Sequence, residues 1–110
     1  MTEAALQIAI LQRPDLPLQA TEVWAVPNGG SRHVVEAARL KAQGVRAGVA
    51  DLCVMLPGGK VGFMEVKTPK GRISDKQREF ADVCRAYDIP HSYVRSIDDA
   101  ITAVRAWSTP

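Results

Sequence analysis

Apolar residues recur along this chain at helical spacing in some stretches and at strand spacing or in short unbroken runs in others, and the changes of period mark its elements. In residues 3–12, Leu6, Ile10 and Leu11 lie at helical spacing behind Thr2, a natural N-cap. Arg13-Pro14 ends that helix, because the residue before a proline avoids the helical region. Residues 22–26 read as a short strand, stopped by the loop Pro27-Asn28-Gly29-Gly30. Ser31 caps a helix from about Arg32 to Gln43, and Gly44 closes it. Residues 49–56 and 61–67 read as two strands joined by Pro57-Gly58-Gly59-Lys60, a hairpin signal. A third helix starts at Ser74 with Phe80, Val83, Cys84 and Tyr87 as its buried stripe. Asp88-Ile89-Pro90 stops it, and residues 91–95 form a fourth strand. Ser96 or Asp98 then caps a last helix whose inner face holds Ile101, Val104 and Trp107. This order predicts a three-layer α/β sandwich around a small mixed sheet.

Composition narrows the setting. The 110 residues are the size of one domain, 46% hydrophobic and 24% charged, so disorder is not expected over most of the length. The apolar runs are too short to span a membrane, and the start of the chain lacks a basic segment leading into an apolar block, so no secretory signal is expected. Cys53 and Cys84 sit inside apolar segments and read as reduced core thiols of a cytoplasmic protein. With His33 and His91 they show no paired ligand spacing, which argues against zinc. Trp24, Phe63, Phe80 and Tyr87 are expected in the core. The net charge of +2 does not announce a nucleic-acid binder, but its distribution is uneven. Residues 31–50 hold Arg32, Arg39, Lys41 and Arg46 against Glu36, and residues 67–78 hold Lys67, Lys70, Arg72, Lys76 and Arg78 against Asp75.

The candidate chemistry lies between these basic blocks. Glu65 and Lys67, two apart on a strand, project from one face, and Asp51 opens the preceding apolar run. Charges at the ends of buried strands are costly unless paired or coordinating. Two converging carboxylates suit a hard divalent cation, and an adjacent ammonium can hold water or steady charge on a phosphate. A buried salt bridge from Lys67 to Asp51 or Glu65 explains the same trio. Register discriminates. With Gly58-Gly59 as a two-residue turn, Asp51 faces Val66 and points away from Glu65; a three- or five-residue loop or a bulge brings Asp51 to Glu65 or Lys67.

The chain resembles the virus-type replication-repair nuclease domain, VRR-NUC, of the PD-(D/E)XK superfamily. The resemblance rests on Pro27-Asn28-Gly29-Gly30, Arg32, the run from Lys41 through Gly44 and Gly48 to Asp51, Glu65-Val66-Lys67-Thr68, Lys70-Gly71-Arg72-Ile73-Ser74 and Gln77. Ala50 stands where the superfamily's name places proline. The resemblance implies a restriction-endonuclease-like fold over residues 1–110 and a DNA phosphodiesterase dependent on Mg²⁺ or Mn²⁺. Asp51, Glu65 and the backbone carbonyl of Val66 become the expected metal ligands, Lys67 the residue acting on the attacking water, and Glu3 a further acidic residue at the site. Gln77 is expected to face metal and phosphate, although Ser74-Asp75-Lys76-Gln77 is also a capping box. Asn28, Gly30, Arg32, Arg46, Lys70, Arg72 and Lys76 become candidate DNA contacts. Standalone domains of this kind imply a homodimer cutting branched DNA, such as a Holliday junction, in a bacterial or phage-infected cell. A flap or nick endonuclease, or an idle DNA-binding module of the same fold, are the alternatives.

Overall fold

A computed structural model describes residues 1–13, 22–27 and 34–108. Its elements are α1 (Glu3–Leu11), β1 (Glu22–Ala25), α2 (Val34–Ala42), β2 (Leu52–Leu56), β3 (Lys60–Val66), α3 (Asp75–Ala86), β4 (His91–Val94) and α4 (Ile97–Ser108). The strands form one sheet in the order β1-β2-β3-β4. The first two pairings are antiparallel, and β4 runs parallel to β3 after the α3 crossover.

Alternation along the strands divides the interior in two. One face of the sheet sends Leu52, Val54, Met64, Val66 and Val94 against Leu6 and Ile10 of α1 and Ala100, Ala103 and Val104 of α4. The other packs Phe63 with Ala50, Phe80 and Cys84 under α3, Phe63 and Phe80 meeting edge to face at 5.1 Å. The result is the three-layer α/β arrangement of the expected fold class.

Local signals place the helix ends. Thr2 caps α1, its hydroxyl accepting from the Ala5 N–H at 3.0 Å. Gly44 closes α2 with φ +99, the left-handed conformation glycine adopts without penalty. The Ser96 hydroxyl accepts from the Asp99 N–H at 3.0 Å, which makes Ser96 rather than Asp98 the cap of α4.

Several expectations change. β2 starts at Leu52 rather than at 49, because Gly48 turns the chain at φ +85; the β1–β2 ladder runs one bond further, from the Val26 N–H to the Asp51 carbonyl at 2.8 Å. The buried stripe of α3 is Phe80, Ala81 and Cys84. Tyr87 is 75% exposed, since the helix ends at Ala86 and the left-handed Asp88 (φ 57) turns the chain away. Leu11 is likewise exposed on α1. Trp24 remains 41% exposed because β1 is an edge strand and α3 packs on the β3–β4 side of that face. Both cysteines are buried and free. No helix of the described residues is long and apolar enough to cross a membrane.

Candidate active site

The β2–β3 hairpin decides the site. Leu56 faces Lys60, so the connection is the three-residue loop Pro57-Gly58-Gly59 rather than a two-residue turn. Both glycines have positive φ, 82 and 76, which that reversal requires. The same register sets Leu52 against Met64 and, one step further, Asp51 against Glu65. A one-residue slip would have sent the two carboxylates to opposite faces.

Asp51 stands where the ladder ends. Phe63 and Lys67 donate their N–H groups toward β4, to Pro90 and Val94, each at 2.9 Å. Val66, between them, therefore turns its N–H and carbonyl toward the β2 side. The Asp51 carboxylate (Oδ2) accepts that N–H at 2.8 Å, taking the place of a ladder partner. The Val66 carbonyl opens on the same side.

Glu65 is 2% exposed, and its Oε2 has no hydrogen-bond partner. Burial, then hydrogen bonding to Asp51 and the negative charge of Asp51, push its carboxyl up to about 9, and the ammonium of Lys67 offsets only part of this. A carboxyl raised this far favours its protonated form at neutral pH in the metal-free protein. A buried acid pair of this kind is expensive and is found where a cation can replace the proton. Lys67 is 7% exposed. Its ion pair is with Glu3 on the first turn of α1, Nζ to Oε2 at 3.9 Å, rather than with Asp51 or Glu65. The simple buried salt bridge is therefore not what the fold builds. It brings Glu3 to the site instead, close enough to raise Glu65 further.

The donors fit a hard divalent cation. Two carboxylates and a backbone carbonyl are all-oxygen ligands, and one buried carboxylate oxygen lacks any partner. Among the described residues no group of three or more His, Cys, Asp or Glu side chains is disposed to hold a metal, so such a cation would keep several waters.

The α3 helix docks on this site through Gly48. A Cβ at Gly48 would run into the carbonyl of Lys76, so only glycine admits the first turn of α3 here. That turn corrects the expectation for Gln77. Its Oε1 accepts from the Ser74 N–H at 2.9 Å while the Ser74 hydroxyl accepts from the Gln77 N–H at 3.2 Å. The capping box claims the side chain, because the unpaired N–H groups of a helix start are nearer than the carboxylates.

The VRR-NUC domain model matches residues 2–97. The chain belongs to the VRR-NUC family. A solved structure, named as a VRR_NUC domain protein, aligns over 96% of this chain and 86% of its own with a TM-score of 0.68 and 17% identity, a likeness of fold. No curated protein matches. The chain is accordingly a nuclease-type domain.

The VRR-NUC frame collects some of the expected DNA contacts and disperses others. Lys70 and Arg72 are exposed on the connection that leaves Lys67. Lys76 is exposed on the first turn of α3 and pairs with Glu79 at 3.4 Å. Arg46 lies over the Phe80 ring at 5.4 Å, which holds its guanidinium on α3 beside Gly48. Asn28, Gly30 and Arg32 lie outside the described residues. Sequence reasoning missed Arg95, whose guanidinium grips three carbonyls of the 68–71 turn. An arginine after a strand reads as a solvated end, and no local signal sets it apart.

Proposed function

We propose that this VRR-NUC domain is a metal-dependent, structure-specific DNA endonuclease that cuts branched DNA as a homodimer. The observation that carries the hydrolytic part is the buried Asp51–Glu65 pair, with its partnerless Glu65 Oε2 beside the ammonium of Lys67. Asp51, Glu65 and the Val66 carbonyl would hold Mg²⁺ or Mn²⁺. Such a cation, when bound, polarises the scissile phosphate and makes an attacking water more acidic. Lys67 donates hydrogen bonds toward that water or a phosphate oxygen and balances the charge that develops in the transition state. Glu3, pairing with Lys67, keeps the ammonium turned along α1 until substrate arrives. Lys70, Arg72 and Lys76 supply the positive approach to the DNA backbone.

Two features support the substrate and assembly reading. The domain-sized chain holds one Asp51–Glu65–Lys67 set, and paired nicks on a four-way junction need two sets related by two-fold symmetry. Trp24 and Met55, on the same face of the sheet, stay 41% and 43% exposed, apolar surface that a second copy can cover. The test is incubation of purified protein with labelled four-way junction, flap, fork and linear duplex in Mg²⁺, Mn²⁺ or EDTA, with light scattering on the same samples. Paired nicks in the junction by a dimer are expected. No cleavage of any DNA would end the enzyme reading, and a monomer cutting flaps as fast as junctions would replace the junction by a flap.

A further inference from the structure

The turn that follows Lys67 has an unusual support. Arg95, just past β4, sends a single guanidinium nitrogen, Nη1, to the carbonyls of Thr68 at 2.8 Å, Gly71 at 3.0 Å and Pro69 at 3.2 Å. The Gly71 N–H closes the same turn on the Thr68 carbonyl at 3.0 Å. Beside this turn lies an open cleft of about 500 Å³, lined by Met1, Leu6, Pro69 and Ile97 among others, so packed side chains do not hold the turn up. Arg95 itself is fixed, its N–H donating to the Asp99 carboxylate at 3.0 Å and its neighbour Val94 paired with the Lys67 N–H.

This grip has a consequence for the other side of the turn. In a trans peptide the carbonyl and the following N–H point in opposite directions, and the described chain has no cis bond. With the Pro69 and Gly71 carbonyls drawn in toward Arg95, the N–H groups of Lys70 and Arg72 face outward. Among the described residues neither has a partner. Two free backbone donors thus stand on one side of the turn, on two exposed cationic residues, with the carbonyls of Thr68, Pro69 and Gly71 turned to Arg95; the Lys70 carbonyl, opposite the Gly71 N–H, points away from Thr68. Glu3 Oε2 lies 3.3 Å from where a Cβ on Gly71 would sit and 3.9 Å from Lys67 Nζ, so the turn adjoins the catalytic lysine.

We propose that residues 68–72 form a phosphate seat, with the Lys70 and Arg72 N–H groups as its donors and Arg95 as the positioning residue that orients them. The ligand is a backbone phosphate of DNA next to the one cleaved, so the inference rests on the nuclease reading and deepens it. Arg95 acts through the turn and touches no substrate. Truncating it frees the carbonyls to rotate outward, which replaces donors by acceptors facing a phosphate.

The test needs no metal. In EDTA, inorganic phosphate is titrated into ¹⁵N-labelled protein, and the amide resonances of Lys70 and Arg72 are expected to move in wild type and not in Arg95→Met. Binding of a short duplex should weaken roughly tenfold in Arg95→Met. Its salt dependence should flatten by about one phosphate. Arg95→Lys keeps the charge but not the guanidinium that reaches three carbonyls, and should weaken binding nearly as much as Arg95→Met; wild-type binding in Arg95→Lys would mean that Arg95 meets DNA by its charge alone and would overturn the proposal. Wild-type amides that stay still in phosphate would overturn it even if Arg95→Met does not fold. Cleavage in Mg²⁺ is read separately: movement of the amides without cleavage removes the nuclease reading and leaves the seat, and cleavage without movement does the reverse.

Discussion

Replacing Glu65 by glutamine should stabilise the metal-free protein at neutral pH while destroying its response to metal. In the folded chain the Glu65 carboxyl is held at about 9, against 4.5 for an ordinary glutamate, by burial and by Asp51. Below pH 4.5 the folded and unfolded chains both carry the proton, and the group has no effect on stability. As pH rises, the unfolded chain releases it and the folded chain keeps it until about 9, so stability falls by roughly 1.4 kcal/mol per pH unit across that window. By pH 7 the cost reaches about 3 kcal/mol, a large share of the margin of a small domain. Glutamine does not titrate, and its amide can still donate to Asp51. Urea unfolding of both proteins in EDTA from pH 4 to pH 8 is the assay. The advantage of Glu65→Gln should be near zero at pH 4 and grow to about 3 kcal/mol at pH 7. Adding Mg²⁺ or Mn²⁺ should then raise the midpoint of wild type, more strongly at pH 8 than at pH 6 because binding must expel the proton, and leave the variant unmoved. A constant offset between the two curves at every pH would refute the assignment of Glu65 as a buried, protonated member of a cation site.

Other perturbations separate the remaining roles. Asp51→Asn should abolish cleavage and leave DNA binding intact or tighter, as one negative charge near phosphate is gone; gel shifts in EDTA beside a nicking assay check this. Lys67→Ala should lower turnover by roughly two to four orders of magnitude with little change in metal affinity, read by single-turnover cleavage across a metal titration. Gly48→Ala should destabilise by about 2 kcal/mol or more, through the left-handed φ and the collision with Lys76, and the shift in Tm should come with lost activity as α3 lifts from the site. Gln77→Ala should cost about 1 kcal/mol of stability for its half of the capping box and leave the chemical step nearly unchanged, which a thermal melt and a rate measurement separate.

Much of this molecule was legible along the chain, and the reasons are local. Helix ends depend on atoms two to four residues apart, so Thr2, Ser74, Ser96 and Gly44 announced the boundaries that the structure shows. Strand alternation depends on nearest neighbours, so the two-residue spacing alone sets Glu65 and Lys67 on one face. The identity of the carboxylates and the lysine was equally plain, because charge at the end of an apolar run has few stable explanations. What the chain left open was pairwise and distant. Asp51 meets Glu65 only because the hairpin loop holds three residues, and the glycines allow either register; packing of Leu52, Val54 and Met64 against α1 and α4 selects one. Gln77 went to the cap rather than the site because a helix start lies nearer than a carboxylate pair. Tyr87 escaped burial because α3 ends one residue before it. Glu3 reaches Lys67 across 64 residues, and Arg95 reaches Thr68 across 27, through contacts no periodicity records. Sequence specifies what each residue can do with its neighbours; the tertiary structure decides which distant groups share a desolvated space, and it is there that a carboxyl is driven to about 9 and a turn is made to face its donors outward.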